Sequence, residues 1–119
     1  MFVISKRFND EYKFIFASRK GHTIFTSIHC KHKSDCELMI TAIRENLELF
    51  AFTKIKSAGG KYFFRLSKEG LVLANSRKYS TELRLIKGID EITKYVSTAE
   101  ILDFSEDEFV FPDTDVVAV

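Results

Sequence analysis

The stretch GGKYFFRLSKEGLVLANS, residues 59–76, decides the fold. Tyr62, Phe64 and Leu66 alternate with Phe63, Arg65 and Ser67, the period of a strand with one buried face. Lys68-Glu69-Gly70 breaks the run with a tight turn, and Leu71 to Ser76 forms the returning strand of a hairpin. About fifty residues earlier the chain carries a second version, DEYKFIFASRKGHTIFTS, residues 10–27. There Tyr12, Phe14 and Phe16 take the inward places and Gly21 marks the turn. After a one-residue slip, Gly21, Ser27, Ile40 and Ile43 recur as Gly70, Ser76, Ile89 and Ile92. The shared positions are apolar, Gly or small, so the repetition concerns architecture rather than chemistry.

Beyond each hairpin the apolar period lengthens from two towards 3.6. Cys36, Ile40, Ile43 and Leu47 form one stripe, and Leu85, Ile89, Ile92 and Val96 reproduce it, so each half contains a helix with one apolar face. Ser34 with Glu37 reads as a capping box that starts the first helix near residue 34, and Ser80 or Thr81 caps the second. Gly88, inside the second helix, costs about 1 kcal/mol against Ala and points to close helix-to-sheet packing. Ahead of the hairpins lie strands Phe2 to Lys6 and Ala51 to Lys56, followed by turns at Asn9-Asp10 and Gly59-Gly60. AEILDF, after the second helix, reads as a last strand. The expectation is an α+β fold: two β3-α-β repeats, residues 1–50 and 51–104, forming one mainly antiparallel sheet with both helices on one face. Residues 1–104 would be a single domain, since neither repeat is long enough to bury its own core. Residues 105–119 would be an acidic tail.

The string Gly70-Leu71-Val72-Leu73-Ala74-Asn75-Ser76, with Tyr79 beyond it and then Gly88-Ile89 and Ile92, resembles the signature of the YegP-like family of small bacterial proteins. The resemblance covers residues 52–96 well and residues 2–47 as a degraded copy, with Cys30 where the family has Tyr. It implies tandem β3-α-β units that share one sheet and exchange their closing strands. Two departures stand out: the Asn that commonly precedes the turn Gly is Glu69 in one copy and Lys20 in the other, and the acidic residue after the motif Ser is Arg77 and Ile28. The resemblance supplies no established activity and no catalytic residue, and no cofactor is expected.

Composition narrows the function further. No apolar run reaches the roughly 18 residues needed to cross a bilayer, the N-terminal run is too short for a secretory signal, and two Cys suit a reduced compartment. A cytoplasmic protein without membrane attachment is expected. The formal charge of +1 hides an asymmetry: residues 1–98 hold all 18 Lys and Arg and 10 of the 17 acids, a formal +8, while residues 99–119 hold seven acids and no base, a formal −7.

His29-Cys30-Lys31-His32-Lys33-Ser34-Asp35-Cys36 crowds four soft or borderline ligands into eight residues, without the second ligand doublet of a structural zinc site. Cys36 aligns with Leu85 and Cys30 with Tyr79, so both thiols belong to packing, and no metal is expected. All three His lie in the first half, and there is neither a nucleophile elbow nor a phosphate loop; the expectation is a protein that is not an enzyme. Ser27 and Ser76 recur, which suits a structural hydrogen bond at a strand end.

The expected role is therefore a binding or interaction module for a protein or nucleic-acid partner. The candidate surface is the sheet face away from the helices. Phe63 and Arg65 point there, with Lys13, and Lys54, Lys56, Lys61, Arg77 and Lys78 would extend a positive field. Basic side chains around an exposed aromatic suit single-stranded nucleic acid. The bland alternative is a solvated basic face. A monomer is expected, a dimer through an edge strand or the tail being the alternative, since one chain carries both halves.

Overall fold

The computed structural model describes residues 1–105. Strands β1 (Phe2–Lys6), β2 (Tyr12–Ala17) and β3 (Thr23–Ser27) precede helix α1 (Lys33–Glu45), and β4 (Ala51–Lys56), β5 (Tyr62–Lys68) and β6 (Leu71–Ser76) precede α2 (Glu82–Tyr95). A short β7 (Ile101–Asp103) follows. The strands form one sheet in the order β4-β5-β6-β3-β2-β1-β7, antiparallel throughout except for the parallel β1–β7 pair. The α+β architecture with two helices is as expected, and no helix is long and apolar enough to cross a membrane. The acidic tail lies outside the described residues apart from Ser105.

The two halves join where β3 meets β6. Thr26 stands opposite Asn75, flanked by Phe25 opposite Ser76 and Ser27 opposite Ala74. Sequence-equivalent positions thus pair crosswise about a local twofold axis. The flanking hydrogen bonds obey the same rule: Ile28 N–H donates to Leu73 O and Arg77 N–H to Ile24 O, each at 2.9 Å.

The one-residue slip between the halves lies in the hairpin turns. Glu69 (φ 53°) and Gly70 (φ 82°) make a two-residue turn with both central residues left-handed, the form that matches strand twist. The first turn is one residue longer, with Gly21 at φ 87° and Ser18 N–H donating to His22 O. Register shifts at Phe16/Ala17 and Leu66/Ser67 place a bulge in each hairpin. As a result Ile24 and Phe25, and likewise Leu73 and Ala74, are buried in succession, where strict alternation would expose one of each pair.

Both helices lay their stripes on the same sheet face. Cys36, Ile40 and Ile43 of α1 and Leu85 and Ile92 of α2 are fully buried against Phe14, Phe16, Phe64 and Leu66. Phe2, Phe14, Phe16 and Phe25 form a mutually contacting ring cluster, with Phe16 and Phe25 stacked at 5.5 Å. Each such ring contributes about 2–3 kcal/mol by leaving water. Ser27 and Ser76 hold the strand ends together: each Oγ accepts from a β-strand N–H, Phe14 or Phe64, at 2.9 Å and donates to the next residue's carbonyl.

Two local expectations are corrected. α1 begins at Lys33 with His32 as its cap and no side-chain capping bond, so the Ser34–Glu37 capping box does not form; Ser34 already sits inside the first turn, where its hydroxyl is past the capping position. Thr81, by contrast, caps α2 by accepting from Arg84 N–H. The strand exchange is also one-sided among the described residues. β7 seats on β1, but after α1 a single 3₁₀ turn (Leu47–Leu49) leads directly into β4, leaving no residues for a separate closing strand.

Candidate anion-binding groove

A concave surface lies between the β2–β3 turn and α2. Its construction begins with Tyr79, whose N–H and C=O exchange 2.7 and 2.8 Å hydrogen bonds with Tyr62 just beyond the end of β6. These bonds fix the backbone, and the ring passes beneath α2 at Gly88. A Cβ built on Gly88 would lie 2.9 Å from Tyr79 Cζ and closer still to the hydroxyl oxygen, so only glycine leaves room for this ring. At the equivalent positions of the first half stand Cys30, a small buried residue on the strand extension, and Met39, a large residue of the helix packed against the core. Size has been exchanged between layer partners.

Tyr79, Arg77, Arg84, Lys87, Lys20 and His22 line a cavity of about 490 Å³ floored by Gly88 and Ile24. It continues along α2 into a second cavity walled by Arg19, Lys94 and Tyr95. Six Lys or Arg side chains face Asp90 and Glu91, the only acids in the lining. None of the six forms an ion pair among the described residues. Two of the guanidinium groups are instead laid on aromatic rings, Arg77 at 4.9 Å from the Tyr79 centroid and Arg19 at 4.7 Å from Tyr95. Stacking of this kind fixes the plane of the guanidinium and leaves its N–H edge for an anion. Burial pushes the Tyr79 hydroxyl up, against the opposing pull of Arg77, so it stays protonated and able to donate. Its O–H has no hydrogen-bond partner among the described residues.

The structure divides the eight residues singled out from the sequence. Phe63, Arg65 and Lys13 do share the outer sheet face: Arg65 lies 5.8 Å from the Phe63 ring, in a cross-strand row that runs Thr53, Arg65, Asn75, Thr26, Ile15 and Val3. That face holds one half-buried aromatic, not the several of a base-stacking platform. Lys54 and Lys56 point to the helix side, opposite Phe64 and Tyr62; Lys54 reaches Glu82 of α2 at 3.5 Å, and Lys56 lies over the Tyr62 ring. Arg77 belongs to the groove, and Lys61 and Lys78 are exposed beside the Tyr62–Tyr79 bridge. Period-two counting gives the wrong side for Lys54 and Lys56 because their parity is set by pairing with β5, a non-local register.

Sequence reading missed the groove itself. Its one available signal was the change from Cys30/Met39 to Tyr79/Gly88, visible only once the helix and the strand extension are known to touch. The cysteine cluster is dispersed into packing. Cys36 is fully buried and Cys30 nearly so, and burial pushes the Cys36 thiol up to about 12. His29 turns to Glu11 at 3.5 Å, and no group of three metal-ligating side chains occurs among the described residues.

Residues 57–103 match the family model for a domain of unknown function, DUF1508. No curated protein matches the chain. Among solved structures, it is similar to the UPF0339 protein SO3888 from Shewanella oneidensis, with a TM-score of 0.81 at 23% identity over 90% of this chain and 92% of that one. It is also similar to yegP from E. coli, described as a protein of unknown function, with a TM-score of 0.79 at 24% identity over 88% and 92%. The chain thus has the YegP-like fold anticipated from Gly70–Ser76, and these relatives supply no established activity.

Proposed function

We propose that this YegP-like chain is a non-catalytic binding module, whose groove between the β2–β3 turn and α2 takes a phosphate-bearing polyanion such as single-stranded nucleic acid. The observation that carries this reading is the Arg77–Tyr79 stack at 4.9 Å: an oriented guanidinium without an ion-pair partner among the described residues, beside a protonated hydroxyl. Arg84 and Lys87 flank it, and Lys20 faces it from the turn. A groove open along α2 suits a chain of phosphates better than an isolated small anion. Each phosphate met by a cation releases counterions, so three or four contacts predict a slope of roughly −2 to −3 in log affinity against log salt. The basic aromatic sheet face is the competing site for the same ligand.

Fluorescence anisotropy with a labelled oligothymidine of about 15 nucleotides tests the proposal, a length within the usual range for one small domain. Arg77→Ala and Arg84→Ala should each weaken binding about tenfold, the loss of one charge-assisted contact, and should flatten the salt slope. Phe63→Ala with Arg65→Ala should leave it unchanged. The opposite pattern would transfer binding to the sheet face, and no anisotropy change at low salt would remove nucleic acid as the ligand.

A further inference from the structure

We infer that the outer edge of β4 is a docking site for an extended acidic peptide, which adds to the sheet as a parallel strand in the way that β7 adds to β1. Hydrogen-bond parity fixes which backbone groups of β4 point outward. Tyr62 spends its N–H and C=O on Tyr79, and Phe64 N–H donates to Ser76 Oγ, so these residues face β6. Phe63 and Arg65 therefore bond to Ile55 and Thr53, their opposite numbers on β4. By the same alternation Phe52, Lys54 and Lys56 direct their backbone groups away from the sheet, where no described residue meets them.

At an offset of 50 these positions correspond to Phe2, Ile4 and Lys6 of β1. On β1 the matching groups are occupied: Phe2 N–H donates to Glu100 O at 2.8 Å, and Phe104 N–H donates to Ile4 O at 2.9 Å. The fold thus shows what this edge accepts, a short parallel strand, at the one place where a strand is available to supply it. β4 presents the same backbone geometry without an occupant among the described residues.

Charge identifies the chemistry of the partner. Asp103 of β7 stands opposite Ile4 and receives a 3.1 Å hydrogen bond from Lys33 of α1. The equivalents of Ile4 and Lys33 are Lys54 and Glu82, so at β4 the cation has moved from the helix to the strand. An incoming carboxylate in the place of Asp103 would lie beside Lys54, with Lys56 next along the same side. The Lys54–Glu82 pair is long and about half exposed, which makes it weak and exchangeable. A second copy is the poorer fit, because antiparallel pairing of β4 with itself brings Lys54 and Lys56 of both chains together; lysines on an edge oppose such self-association. Strand addition needs main-chain bonds for affinity and takes its selectivity from alternate side chains, here an acid aligned with Lys54.

The test uses the full chain, labelled with ¹⁵N, and a synthetic peptide Ala-Glu-Ile-Leu-Asp-Phe-Ser, the sequence that seats on β1 as residues 99–105. Amide shift changes and slowed exchange are expected at Phe52, Lys54 and Lys56. Replacing the peptide's Asp by Lys should weaken binding at least fivefold, as should the double variant Lys54→Glu with Lys56→Glu, which leaves every backbone group in place. Lys54→Pro should abolish binding by deleting an outward donor, while Arg77→Ala in the groove should leave it unchanged. The inference fails if saturating peptide perturbs only β1, or if β4 stays silent. It fails too if β4 amides become protected with rising protein concentration alone, which would make a second copy the occupant. Faster β4 exchange on deleting residues 106–119 would make the occupant the chain's own tail and overturn the inference equally.

Discussion

Gly88→Ala sets two physical effects of opposite sign against each other. In an isolated helix the change would stabilise by about 1 kcal/mol, because alanine restricts the unfolded chain and fits the helix better. In this protein the new methyl group meets the Tyr79 ring, whose Cζ would lie 2.9 Å away. The ring cannot slide aside as a body, since Tyr79 is fixed to Tyr62 by two backbone hydrogen bonds of 2.7 and 2.8 Å. It must rotate into the groove or lift α2. A buried aromatic covers roughly 150–250 Å², so exposing about half of it costs on the order of 2–3 kcal/mol. The net expectation is a destabilisation of about 1–2 kcal/mol, read as a lower urea midpoint at unchanged slope. Displacing Tyr79 also moves the plane on which Arg77 rests, so oligonucleotide affinity should fall together with stability. The decisive measurement is a double-mutant cycle. Tyr79→Cys, which installs the first half's small partner, should turn Gly88→Ala from destabilising to stabilising by about 1 kcal/mol. If Gly88→Ala stabilises the otherwise unaltered protein by that amount, the Tyr79–Gly88 contact does not constrain this helix and the construction of the groove is wrong.

Ser27→Ala should cost about 1–3 kcal/mol, because it strands the buried Phe14 N–H; Ser76→Ala should cost less, since water reaches that site more easily, and paired urea titrations would show equal losses if the reasoning failed. Neither cysteine should react with a disulfide reagent at pH 8 in the folded protein, burial having raised both thiols, Cys36 to about 12; both should react once urea unfolds the chain, and rapid native labelling would contradict the packing role. Burial pushes the Asp103 carboxyl up, but hydrogen bonds from Ser105 and Lys33 outweigh it and hold the group below its ordinary 3.8. Its contribution is therefore present above that value and lost as pH falls through the lower folded value, so the protection of β7 amides, measured against the intrinsic exchange rate at each pH, should fall in acid while Asp103→Asn flattens this dependence.

Chain-local features were legible in the sequence because local patterns determine them. The alternation of Tyr62, Phe64 and Leu66, the 3.6-residue stripes through Ile40 and Ile92, and the turn at Glu69-Gly70 follow from side-chain period and backbone permission, and β1 and β4 occur over the spans that those patterns mark. Even the roles of Ser27 and Cys36 could be argued from recurrence at equivalent positions. The failures share another cause. The Ser34–Glu37 motif satisfied the capping pattern, yet the cap fell two residues earlier, at His32, since where a helix meets its sheet also fixes where it starts.

Tertiary structure alone decided the rest. The side to which Lys54 and Lys56 turn, the crosswise pairing about Thr26 and Asn75 and the meeting of Arg77, Tyr79, Gly88 and the β2–β3 turn all depend on contacts between segments far apart in the chain. A sequence specifies which residues seek burial. Only the assembled backbone, with its hydrogen-bond register and the size of each neighbour, determines which faces meet and which charges are left facing solvent.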